Sequence, residues 1–235
     1  MTDKNICTNK TKVAAYSYNG KPLPYGFTVT GHTGCMGTPD NSLEAIVAAA
    51  GSGVDIVEFD LRYDEKGEPV LSHDSPVGKV VTLDEAFATV KEMATIKANI
   101  DIKDTAYLEK VLPLAEKHGL NGIFFFTGVF EKDVPAVKAK CPDVPYYLNE
   151  KVRRLQSRRY LESLVKKTKD NGAVGINFKY TRATKKLVEV FRKNGLLVSV
   201  WTVNDEKAMK KILALSPDNI TTRHPDKLLK ILKKS

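Results

Sequence analysis

The 235 residues are 42% hydrophobic and 28% charged, which is enough chain for a full core and the balance of an ordinary globular protein. No apolar run approaches the ~20 residues that cross a bilayer. The polar start, MTDKNICTNKTKVAAYSYNG, lacks the apolar stretch of a signal peptide, so the chain reads as cytoplasmic, with a net charge of +9.

Taken in chain order, short β-branched or apolar runs alternate with longer helix-like stretches. The strand candidates are FTVTGH (27–32), VDIVEFDLRY (54–63), KANIDIK (97–103), GIFFFTG (122–128), VPYYLNE (144–150), AVGINFK (173–179), LLVSVWTV (196–203) and DNITT (218–222). Between and after them, helices are predicted over 41–53, 82–93, 105–119, 131–141, 151–170, 181–195, 205–215 and 226–234. Gly119, Gly172 and Gly195 follow helical runs as C-terminal stops, and Asn41, Thr82, Thr181 and Asn204 stand where N-caps belong. This alternation argues for parallel strands with helical crossovers, and eight units favour an α/β (β/α)8 TIM barrel. Periodicity alone does not separate that barrel from a doubly wound sheet. Nothing marks a linker, so residues 1–235 read as a single domain, with 1–25 as an N-terminal extension and no sizeable cap insertion.

Two features of composition carry less. Cys7, Cys35 and Cys141 are widely spaced, with neither metal-ligand nor disulfide spacing, as fits a reducing compartment. Lys151, Arg153, Arg154, Arg158, Arg159, Lys166, Lys167 and Lys169 face only Glu162 and Asp170. Val152, Leu155, Leu161, Leu164 and Val165 recur among them at helical spacing, so the cations are expected to coat an amphipathic helix. Without interleaved aromatics or a recognition motif, nucleic acid is not an expected partner. Weak contact of residues 151–169 with an anionic membrane surface is the alternative reading of that charge. Oligomeric state leaves no mark in the sequence.

In such a barrel the chemistry sits at the carboxyl ends of the strands. His32 ends the first strand. Glu58, Asp60 and Arg62 alternate on the second and share one face. His73 and Asp74 close the following segment, and Asp101 and Lys103 are two apart on the third strand. A lone carboxylate at a strand end is usually a cap or an ion-pair partner. Two acids pointing into a barrel from one apolar strand are costly without a cation or a proton, so Glu58 and Asp60 are read as metal ligands, with Asp101 a third candidate. His118 and His224 have no such company and are read as structural, and Cys35 as a small residue in a turn.

The strings GHTGCMGTPDNSLEAI and GVDIVEFDLRYDEKGEPVLSHD, then NIDIK, VSVWTVNDEKAMKKILAL and DNITTRHPD, resemble glycerophosphodiester phosphodiesterases along most of the chain. The resemblance implies a phosphoric diester hydrolase that takes a small-molecule phosphodiester, yielding glycerol 3-phosphate and an alcohol. Glu58, Asp60 and Asp101 would hold one divalent cation, Mg²⁺ or Ca²⁺ given all-oxygen donors. His32 and His73 would be the acid–base pair. The first nucleophile would be the substrate's own neighbouring hydroxyl, giving a cyclic phosphate that water opens. Lys103 would neutralise phosphoryl charge, and Trp201 would line the pocket. Three departures stand out. Thr33 replaces the family's arginine, leaving Arg62 as the candidate to compensate at the phosphate. Asp101 replaces a glutamate. Only Ser75–Val81 lies where many relatives insert a small cap. These leave open a related phosphodiesterase for a lysophospholipid or a sugar phosphodiester, or a weakly active anion-binding barrel.

Overall fold

A computed structural model describes residues 16–94 and 96–234; Cys7 lies outside them. In chain order the elements are β1 (Tyr16–Tyr18), β2 (Lys21–Pro22), β3 (Thr28–Gly31), α1 (Leu43–Ser52), β4 (Ile56–Tyr63), β5 (Pro69–Leu71), α2 (Leu83–Met93), β6 (Lys97–Ile102), α3 (Val111–Lys117), β7 (Phe124–Val129), α4 (Val134–Lys140), β8 (Tyr146–Asn149), α5 (Arg158–Asp170), β9 (Gly175–Lys179), α6 (Lys185–Lys193), β10 (Leu197–Trp201), α7 (Glu206–Leu213), β11 (Asn219–Thr222), α8 (Pro225–Ile231) and β12 (Lys233–Lys234). Strands β3, β4, β6, β7, β8, β9, β10 and β11 pair in that order, all parallel. β11 returns to β3 with Thr221 opposite Thr30, so the sheet closes into the expected (β/α)8 barrel and no doubly wound sheet forms. β5 is a short antiparallel addition to β4.

Alternation along each strand divides the side chains into two sets. Val29, Phe59, Leu61, Ile100, Phe126, Leu148, Ile176, Phe178, Val198, Val200 and Ile220 face outward beneath the helices. There they join Leu83, Phe87, Leu161, Leu187, Phe191 and Met209 in the main core. Burying each such aromatic or branched residue contributes about 1.5–3 kcal/mol. The inward set starts apolar, with Ile56, Phe125 and Tyr147 packed on Val174 and Leu197 as a separate plug. Towards the carboxyl ends it turns polar: Thr30, Asn99, Thr127, Asn149, Asn177, Ser199, Asn219 and Thr221 are all buried. A barrel built only for stability would continue the apolar filling.

Of the 1–25 extension, Tyr16–Pro22 forms a hairpin that also pairs with β12. The Tyr16 hydroxyl donates to Asp55 at 3.0 Å, which ties the hairpin to the amino end of the barrel. The glycine stops hold, with Gly119, Gly172 and Gly195 at φ of 67°, 72° and 70°. Thr82 caps α2 in a reciprocal bond with Glu85. The other three caps are displaced. Ser42, Thr184 and Asp205 cap α1, α6 and α7, one to three residues beyond Asn41, Thr181 and Asn204. The basic helix is also shorter than its apolar spacing suggests. Ser157 caps it, α5 starts at Arg158, and Leu155 in the preceding loop is 86% exposed. Among the described residues no helix is long and apolar enough to cross a membrane.

Candidate active site

Each strand delivers its side chain to the barrel mouth through the pleat. His32 follows β3, held by its backbone N–H on the Thr222 carbonyl at 2.9 Å. The Thr33 N–H donates to Glu58 Oε2 at 2.9 Å, joining the first loop to β4. Glu58, Asp60 and Asp101 each offer an oxygen, all within 4.8 Å of one another. Lys103 Nζ bridges Asp60 Oδ1 at 3.0 Å and Asp101 Oδ2 at 2.5 Å. Thr127 Oγ1 donates to Asp101 Oδ1 at 2.7 Å, and the Asn41 amide clasps Asp60 through its backbone N–H and a carboxylate oxygen, both at 2.9 Å. His73 stands across the rim, its side chain 67% exposed. His32, Glu58, Asp60, His73, Asp101 and Lys103 line one cavity of about 240 Å³, with Phe130 and Trp201 among its walls.

Charge counting tests whether a cation fits. With all three carboxyls ionised, one ammonium would leave two negative charges in excess in a largely buried cluster. Burial, then the Asp60 and Asp101 carboxylates, push the Glu58 carboxyl well above the usual carboxylate range. The Thr33 N–H and Lys103 only partly offset them. Burial opposes the Lys103 ammonium, but Asp101 and Asp60 outweigh it and hold its pKa above that of a free lysine. An all-oxygen set with this excess charge fits one hard divalent cation, and Glu58, Asp60 and Asp101 are the residues that would hold it.

The histidines are fixed by acceptors. Thr33 O lies 2.7 Å from His32 Nδ1, and a carbonyl only accepts, so Nδ1 carries the proton and Nε2 keeps its lone pair. Burial lowers the His32 pKa, the Thr33 carbonyl opposes that, and the Arg223 guanidinium lowers it further. His73 Nδ1 meets Asp74 Oδ1 at 3.0 Å, which leaves Nε2 available there too.

The sequence profile of the glycerophosphoryl diester phosphodiesterase family matches residues 32–114 and 89–227. The chain belongs to this family. A glycerophosphodiester phosphodiesterase of Caldanaerobacter subterraneus subsp. tengcongensis is 24% identical over 233 residues, covering 83% of this chain and 93% of its own length. Two solved structures share the fold. One is a putative glycerophosphoryl diester phosphodiesterase from Silicibacter pomeroyi, with a TM-score of 0.75 at 18% identity over 87% of this chain and 92% of its own. The other is an Oleispira antarctica phosphodiesterase in complex with its product sn-glycerol-3-phosphate, with a TM-score of 0.71 at 18% identity over 89% of this chain and 96% of its own.

Within this glycerophosphodiester phosphodiesterase barrel, His32, Glu58, Asp60, His73, Asp101, Lys103 and Trp201 gather at one cavity, whereas Thr33 and Arg62 do not line it. Thr33 is buried, its Oγ1 accepting the Asn41 N–H at 2.5 Å. Arg62 donates from Nε to the His73 carbonyl at 2.8 Å, so it braces the His73 segment. The guanidinium nearest the first loop is instead Arg223, just past β11. It grips Asp40 with two bonds, at 2.6 and 3.1 Å, and lies over Gly34, where a Cβ would come within 2.5 Å of Nη1. Sequence reasoning passed over Arg223, because only barrel closure brings the last strand beside the first. It also passed over Asn99, Asn149 and Asn177, although an amide inside an apolar strand was a legible signal. Cys35 is buried, and burial pushes its thiol up to about 11, as befits a packing residue.

Proposed function

We propose that this enzyme hydrolyses glycerophosphodiesters to glycerol 3-phosphate and an alcohol, with His32 and His73 as the acid–base pair and a divalent cation, Mg²⁺ or Ca²⁺, on Glu58, Asp60 and Asp101. The observation that carries this reading is the meeting of two imidazoles, three carboxylates and a lysine in one cavity. His32, half-buried and with its Nε2 lone pair free, suits the base. It takes the proton from the substrate hydroxyl beside the phosphate, whose oxygen bonds to phosphorus as the bond to the leaving alcohol breaks. His73 gives that alcohol its proton. Water then opens the cyclic phosphate with the two roles exchanged. Lys103 offsets charge on the phosphoryl oxygens. A cation bound by the carboxylates supplies further positive charge there. The test is incubation with sn-glycero-3-phosphocholine and Mg²⁺ or Ca²⁺, with free glycerol 3-phosphate as the readout. Silence with both metals, on choline, ethanolamine and inositol diesters alike, would sink the proposal.

A second reading concerns where the substrate resides. Val77 and Leu155 are each 86% exposed, and both lie on loops at the carboxyl ends of the strands, the face that opens onto the cavity. Phe130 and Trp201 flank the opening, and Lys151, Arg153 and Arg154 share the Leu155 loop. Apolar tips among cations suit an anionic lipid surface and favour a lysophospholipid as a further substrate. Leu155→Asp is therefore expected to cut binding to phosphatidylserine-containing vesicles about tenfold, the worth of one buried leucine. Co-sedimentation reads this out, and equal binding of parent and variant would remove the loop from any such contact.

A further inference from the structure

On the opposite side of the barrel from the carboxylates, β8 and β9 pair with Asn149 facing Asn177. Both amides are buried, at 7% and 5% exposure, and both line the catalytic cavity. Asn149 Oδ1 already accepts twice, from the Gly128 N–H at 3.0 Å and from Asn177 Nδ2 at 3.1 Å. Those two donors fix the Asn149 amide, so its own Nδ2 protons remain to be given. Asn177 is the reverse case, because its Oδ1 is buried and meets no donor among the described residues. A buried carbonyl oxygen without a donor is costly, and nothing in the packing of β8 on β9 calls for it.

We infer that Asn149 and Asn177 form a neutral subsite for a hydroxyl of the glycerol moiety, so that the glycerol end of the diester lies across the barrel and the alcohol leaves towards the Phe130 and Trp201 rim. The inference rests on the phosphodiesterase reading and deepens it. A hydroxyl both donates and accepts: it can give its proton to Asn177 Oδ1 and take one from Asn149 Nδ2. An ammonium headgroup can only donate, and a phosphate oxygen only accepts, so neither satisfies both amides. The pair carries no formal charge, unlike the carboxylate and lysine side, which sorts the two ends of a substrate whose middle is anionic. A site built to hydrogen-bond a hydroxyl rejects an analogue without it, because its own polar groups are then left unmet.

The test is calorimetric binding at a fixed saturating Mg²⁺ concentration, comparing sn-glycerol 3-phosphate with n-propyl phosphate, which keeps the three-carbon chain and lacks both hydroxyls. The parent protein should bind glycerol 3-phosphate at least about tenfold more tightly. Asn177→Leu and the smaller polar Asn177→Ser should each lose most of that preference while n-propyl phosphate affinity stays within about twofold. Equal affinities in the parent would overturn the inference without any variant being needed, and so would a parallel loss of both ligands in the variants, the signature of a merely structural amide. If the parent binds neither phosphate, the phosphodiesterase reading fails and the subsite with it.

Discussion

Replacing His32 with alanine is expected to lower kcat by about 10²–10⁴-fold, the usual worth of a positioned general base, while circular dichroism stays that of the parent. The ring is held for this task. Its Nδ1 proton is committed to the Thr33 carbonyl, and burial disfavours its charged form, so the free lone pair of the neutral ring lies on Nε2. His73→Ala should cost a similar factor, although its ring is largely exposed and contributes little to packing. Arg62→Ala should fall between parent and His73→Ala, because it loosens the segment that carries His73 and does not itself line the cavity. Steady-state kinetics on sn-glycero-3-phosphocholine would rank the three. Parent-like turnover in His32→Ala would end the base assignment.

Removing the divalent cation should be felt in both activity and stability. Electrostatic stabilisation of a phosphoryl transition state by a metal is worth several kcal/mol, so chelation should lower the rate by roughly 10³-fold or more. The second readout needs no catalysis. At about 100 times its dissociation constant a cation adds ~2.7 kcal/mol to the folded state, which for a chain of this size raises Tm by roughly 5–10 °C. Glu58→Gln should shrink that rise. The sign for the metal-free protein also follows from Glu58. Its carboxyl is raised in the folded state, so its contribution to stability is present at acid pH and is lost as pH climbs through the raised pKa. Metal-free Glu58→Gln should therefore melt no lower than metal-free parent near neutral pH. An unchanged Tm on adding Mg²⁺ or Ca²⁺, together with full activity in excess chelator, would dismiss the carboxylates as ligands.

The barrel was legible because strand and helix periods differ and eight alternations leave few topologies. The caps were harder. Asn41 has the right chemistry for a cap, but its amide is drawn off to Asp60, and the next serine takes the helix. Asn204 is likewise drawn off to the Arg223 N–H, and Asp205 caps in its place. Tertiary bonds won over local preference in both cases. Two-residue spacing placed Glu58, Asp60 and Asp101 at one cavity, but it placed Arg62 there as well, and Arg62 is drawn off to the His73 carbonyl instead. Thr33 could not be placed, because the loop after β3 turns its side chain under Asn41. Arg223 depends on closure of β11 against β3, and although each strand amide was visible by itself, the register that sets Asn149 opposite Asn177 is not written in either segment.

The bond between Arg223 and Asp40 spans 183 positions of sequence. A ribosome adding about 5–20 residues per second needs roughly 10–40 s to cover that distance, and throughout it the first loop waits for its partner. β3 waits as well, since β11 supplies one of its two neighbours. The nascent chain therefore carries an open sheet edge beside its first loop until β11 has emerged, a template for wrong pairing throughout that interval.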